Sequence, residues 1–145
     1  MTGEGSPAEI IRAALTAERE ASLFYRMLAE LVPEGTASER LVRLAQDEEG
    51  HARVLNDLNA VLAGPQSGDS TSPHPEGDPT LFDFSSRSLA DVLRFALHNE
   101  ERSERLYRAQ CEQATDPETA DIWRMLADAE QAHAAALRLQ IRQLG

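Results

Sequence analysis

Four glutamates and two histidines recur in this chain at fixed intervals. Glu18 is followed 30 residues later by Glu48, and Glu48 three residues later by His51; Glu100, Glu130 and His133 repeat those intervals. A tyrosine stands seven residues after the first glutamate of each set, at Tyr25 and Tyr107, and the two sets are offset by 82 residues throughout. A repeat of that size makes the pattern an internal duplication. Carboxylates and imidazoles are donors for divalent first-row metals. The Glu-x-x-His spacing puts both on one helix face, because residues three apart are neighbours on a helix surface. Glu18 and Tyr25, two turns apart, share a face as well.

The residues around these six are apolar. Ala14, Ala21, Phe24, Leu44, Ala45, Leu55 and their counterparts form a stripe that would otherwise be plain core. Four carboxylates buried there uncompensated would have to be protonated or paired. The 14 basic residues, all arginines, lie mostly off the stripe. Two divalent cations balance the four negative charges, and two neutral imidazoles complete the shells. A glutamate from each of two helices plus Glu-x-x-His from each of two others is the ligand set of di-iron and di-manganese carboxylate bundles.

Helices must position these residues, and their ends are punctuated. Ser6-Pro7-Ala8-Glu9 combines an N-cap serine, a proline at the first helical position and a capping-box glutamate, predicting a helix from about Pro7 to about Leu31, where Pro33 and Gly35 stop it. Thr36-Ala37-Ser38-Glu39 reads as a second capping box, opening a helix to about Leu62 that Gly64 ends. Ser88-Leu89-Ala90-Asp91 starts a third helix, and Asp116-Pro117-Glu118 a fourth that continues almost to Gly145. No stretch alternates at period two, so no sheet is expected. From Glu18 the first helix runs on for about 20 Å, and the second returns about 18 Å to reach Glu48, so the two glutamates should be level. Folding the two pairs together is expected to bring all six residues to one level of a bundle interior.

Composition sets the outer bounds. A chain of 145 residues has about the length of one domain, 1–145, organised as a first hairpin (7–63), a Gly/Pro/Ser-rich linker (64–87) and a second hairpin (88–144). Leu81, Phe82 and Phe84 are expected to cap one end of the bundle, and His74 to be a surface residue of the linker. With 25 acidic against 14 basic residues the net charge is −11, which argues against nucleic acid or an anionic membrane as the main partner. The single cysteine, Cys111, leaves no disulfide framework and no Cys-x-x-Cys pair for zinc or a rubredoxin-type iron; it is expected as a small core residue. No charged-then-apolar leader opens the chain and no apolar run approaches membrane-spanning length, so a cytoplasmic location is expected. His98 should point away from the site, Glu49, Glu101, Glu20 and Asp128 should sit on its rim, and Trp123 should be a core or interface residue.

The runs Glu18-x-x-Ala21-x-x-Phe24-Tyr25, Leu44-Ala45-x-x-Glu48-x-x-His51, Glu100-x-x-Ser103-x-x-Leu106-Tyr107 and Leu126-Ala127-x-x-Glu130-x-x-His133 resemble the ferritin-like superfamily, specifically its rubrerythrin branch. The resemblance implies an all-α, ferritin-like four-helix bundle of two duplicated hairpins joined by a long crossover linker. It implies Glu48 and Glu130 as bridging ligands, Glu18, His51, Glu100 and His133 as terminal ligands, and Tyr25 and Tyr107 as hydrogen-bond donors to the ligating carboxylates. The linker is long enough to let one chain lend its second hairpin to another, so a homodimer, with or without exchanged hairpins, is expected.

Two departures from rubrerythrins proper are visible. Ser103 stands where they carry a further glutamate; Glu104 next to it lies on nearly the same face but is expected to be solvated or to sit outside the ligand set rather than to replace it, and no rubredoxin domain is expected here. Electrons for turnover then come from an external donor such as a rubredoxin-like protein. The resemblance implies two iron ions and either oxidation of ferrous iron or reduction of peroxide or dioxygen. Iron buffering without turnover and a dimanganese, catalase-like site remain open alternatives on the same ligands.

Overall fold

The computed structural model describes residues 6–63 and 87–144, and their regular secondary structure is entirely helical. Four helices follow in order: α1 (Pro7–Leu31), α2 (Thr36–Ala63), α3 (Leu89–Gln113) and α4 (Pro117–Leu144). The expected linker 64–87, save its last residue, lies outside the described residues, as do His74 and the cap of Leu81, Phe82 and Phe84.

The helix starts follow local chemistry. The Ser6 side chain accepts from the Glu9 backbone N–H at 3.2 Å, and the Glu9 carboxylate accepts from the Ser6 N–H at 3.0 Å, so both halves of the capping box are made. Ser88 caps α3 by accepting from the Asp91 N–H at 3.1 Å, and Asp116 caps α4 through the Thr119 N–H and hydroxyl. The start of α2 differs from the expected capping box at Thr36. Thr36 is already helical, and the cap is Gly35, whose carbonyl accepts the first helical bond from Glu39 N–H at 3.0 Å. Ser38 accepts from the Gly35 N–H at 3.1 Å, the role a capping-box glutamate would otherwise fill. Gly35 has φ of +147°, a conformation that only glycine adopts without strain, and this shifts the boundary by one residue.

Two compact units result, one built on α1 and α2, the other on α3 and α4. In the first, Ile11, Ala14, Phe24, Tyr25 and Leu28 of α1 and Leu41, Leu44, Ala45, Leu55 and Leu58 of α2 are buried. In the second, Val92, Leu93, Ala96 and Tyr107 of α3 and Trp123, Leu126, Ala127, Ala134 and Leu137 of α4 are buried. Each helix therefore buries one stripe at helical spacing. Trp123 packs on Tyr107 with ring centroids 5.6 Å apart. Cys111 departs from expectation: it is half-buried, because it lies near the end of α3 beside the turn into α4, where the apolar stripe runs out. No described helix is long and apolar enough to cross a membrane.

Candidate metal centre

Within the apolar stripes, the largest exceptions are acidic. Glu18, Glu48, Glu100 and Glu130 are each no more than 3% exposed, more buried than many of the leucines around them. Each hairpin gathers its own pair around a histidine. In the first, His51 Nδ1 lies 3.1 Å from a Glu48 carboxylate oxygen and 3.5 Å from one of Glu18. In the second, His133 Nδ1 lies 3.0 Å from Glu130 and 3.5 Å from Glu100. The same ring nitrogen faces the same two carboxylates in both copies.

The helix register produces this. Glu48 and His51 are neighbours on one face of α2, and the antiparallel return over the short turn at 32–35 brings Glu18 of α1 level with them. Glu130, His133 and Glu100 repeat the arrangement over the turn at 114–116. In each triad the three donor atoms lie within 4.8 Å of one another, close enough to converge on one ion. One imidazole nitrogen and two carboxylate oxygens suit iron, manganese or zinc. Charge points the same way: an imidazole carries at most one positive charge against two buried carboxylates, so a cation would balance each triad. The residues present therefore fit a bound metal.

Tyr25 and Tyr107 are buried one helical turn beyond Ser22 and Ser103, and Tyr25 meets Phe24 edge-on at 5.7 Å. His98 is exposed and belongs to neither triad.

Around each triad is an arginine tie that sequence reading passed over. Arg26, immediately after Tyr25, donates from Nε and Nη2 to both carboxylate oxygens of Glu49 on α2, at 2.8 and 3.0 Å. Ser22 donates to the same carboxylate at 2.8 Å. These bonds, those from Arg26 foremost, hold the Glu49 carboxyl below its ordinary range. Arg108, immediately after Tyr107, is the 82-residue counterpart of Arg26 and ties α3 to α4 by reaching Gln131 at 3.1 Å and Asp128 at 3.0 Å. It also bonds Glu104 at 3.2 Å, so Glu104 turns to an arginine on its own helix and joins neither triad. The carboxylate has changed helices between the copies: Ser22 and Glu49 in the first hairpin correspond to Glu104 and Gln131 in the second. The rim acids thus have structural partners, including Glu101, which pairs with Arg138. The signal was in the sequence, since the repeat that aligns the tyrosines also aligns the arginines after them.

Known proteins agree with this architecture. The chain is similar, at 27% identity, to a hypothetical protein from Pyrococcus furiosus, with 99% of this chain matched to 92% of that one and a TM-score of 0.85. It is similar in fold, at 22% identity, to the bacterioferritin of Rhodobacter capsulatus, a structure with a metal-free dinuclear site and heme iron; 99% of this chain covers 88% of that one, with a TM-score of 0.73. No curated protein matches it. The fold is that of a ferritin-like four-helix bundle. The Rubrerythrin family model matches residues 9–141. A family match that takes in both hairpins and both Glu-x-x-His motifs leads to one conclusion: the chain belongs to the rubrerythrin family.

Proposed function

We propose that the two triads together hold two iron ions, and that the loaded protein oxidises ferrous iron or reduces peroxide or dioxygen. The observation that carries this reading is the repeated geometry, a histidine Nδ1 between two buried carboxylates at 3.1 and 3.5 Å in one hairpin and 3.0 and 3.5 Å in the other. Glu48 and Glu130 would serve as bridging ligands, with Glu18, His51, Glu100 and His133 as terminal ones. When bound, a diferrous centre would supply the two electrons that peroxide reduction needs, becoming diferric. The chain's own residues do the rest. Four carboxylates neutralise two divalent ions and favour the more highly charged oxidised state. The triads lie in apolar stripes that include buried Phe24 and Leu55 in one hairpin and Leu126 in the other, surroundings of low polarity that strengthen these electrostatic interactions. Tyr25 and Tyr107 are assigned as phenol donors that orient ligating carboxylates.

Reductant reaches the centre from an external donor such as a rubredoxin-like protein, and the protein acts as a cytoplasmic homodimer. The second reading, iron held without turnover, is favoured by Ser103, which stands where rubrerythrins proper place a further glutamate, and by Glu104, which Arg108 engages instead. Anaerobic mixing of the ferrous protein with peroxide and with dioxygen separates the two. A rapid optical change with either oxidant supports turnover; stable iron binding with no change under both supports holding alone.

A further inference from the structure

The 82-residue offset lets each hairpin serve as a control for the other. In the second hairpin, Glu101 of α3 and Arg138 of α4 form an ion pair that bridges the two helices. The equivalent positions in the first hairpin are Arg19 and Asn56, so a carboxylate has become a guanidinium and its cationic partner a neutral amide. That bridge cannot form. A second arginine, Arg53, occupies the position of Ala135.

Both arginines are exposed, and among the described residues neither makes a hydrogen bond or ion pair. They flank an open groove of about 460 Å³ along α1 and α2, with Ser22 and Ala52 buried in its floor and Leu23 and Asn56 at its edges. The one carboxylate lining it, Glu49, is already engaged by Nε and Nη2 of Arg26 and by Ser22. The groove therefore presents two guanidinium groups without a hydrogen-bonded carboxylate, Arg53 acting on Glu49 only through space, on a chain of net charge −11. Its size is within the range of small-molecule sites. The planar fork of arginine matches carboxylate and phosphate oxygens. Ferrous ions, by contrast, would be repelled.

We propose that this groove binds the oxyanion of a small ligand, a carboxylate or a phosphate group, between Arg19 and Arg53. The ligand takes the place that the Glu101 carboxylate fills in the second hairpin, and the apolar surface of Leu23 and Ala52 receives whatever part of it is not charged. The groove lies outside both triads, so this inference does not depend on metal binding.

The test is titration of the full chain with sodium phosphate and, separately, sodium acetate at constant ionic strength, followed by the NMR signals of the arginine Nε–H groups. The expected result is a saturable shift at Arg19 and Arg53 with at least one anion, the tighter probe identifying the head group. The Arg19→Glu/Asn56→Arg double variant rebuilds the bridge of the second hairpin, and Arg53→Ala copies Ala135. Each should weaken binding about tenfold or more, as expected for loss of a charge-assisted hydrogen bond, with unchanged helicity. Arg43→Ala, on the exposed side of α2, should leave it unchanged. No saturable shift with either anion, binding that survives in both groove variants, or equal weakening by Arg43→Ala would overturn the proposal.

Discussion

Replacing Glu48 with glutamine should make the metal-free protein more stable and the metal-loaded protein less so. Glu48 is 1% exposed, Glu18 is 2% exposed, and both face the single imidazole of His51. Two buried carboxylates against at most one positive charge leave a residual desolvation cost that the imidazole offsets only in part. Glutamine keeps the shape and removes one charge, leaving Glu18 and His51 as a balanced pair, so the apo protein should gain about 1–3 kcal/mol. An unfolding entropy of about 2.1 cal/mol/K per residue gives about 0.3 kcal/mol/K for 145 residues. The melting temperature of the apo protein should therefore rise by about 3–10 °C.

Metal reverses the order. Ferrous iron at about 100 times its dissociation constant stabilises the folded state by about 2.7 kcal/mol, or about 9 °C on the same scale. Glu48→Gln, lacking a ligating charge, should show less than a third of that increment. The assay is anaerobic calorimetry of both proteins after chelation and again with ferrous iron. A variant that melts below wild type without metal, or that gains as much as wild type on adding iron, would refute the reasoning that Glu48 is a destabilising charge retained to hold metal.

Other consequences follow from the same structure. Glu49 has its pKa lowered in the folded state, chiefly by Arg26, so its contribution to stability is complete above its unfolded pKa and disappears as pH falls through the lower folded value. Comparing wild type with Glu49→Gln by chemical denaturation should show a gap of about 0.5–1 kcal/mol at neutral pH, small because the pair is partly exposed, that closes on acidification and shrinks in salt; a gap that widens in acid would contradict the pairing. Gly35→Ala has free space for its Cβ but must adopt φ near +147°, so it should cost about 1 kcal/mol or more through the backbone alone, read as a lower denaturation midpoint with metal content unchanged.

The parts of the fold written in short stretches were the most legible. Ser6, Pro7 and Glu9 specify a helix start within four residues, and that helix begins where they place it. The boundary at α2 was displaced by one residue because Gly35 supplies a backbone conformation rather than a side chain, a property that Thr36 and Glu39 masked. The two triads could be read because their spacings are fixed by helix geometry and appear twice. The arginine ties are different in kind. Arg26 and Glu49 are 23 residues apart and join two helices through exposed polar faces, where hydrophobic periodicity carries no information. Only the duplication, which places Arg108 on Arg26, pointed to them. It also shows that the copies differ where the triad residues do not: Ser22 corresponds to Glu104, Glu49 to Gln131, and the Glu101–Arg138 bridge to Arg19 and Asn56.

The most direct test of a two-iron centre is the metal content of the full chain, purified without chelator or affinity-resin metal, reconstituted anaerobically with ferrous iron and freed of excess by desalting. About two irons per chain are predicted for six ligands arranged as two triads, falling sharply in a His51→Ala/His133→Ala variant. A helical protein that retains less than one iron per chain would contradict the account.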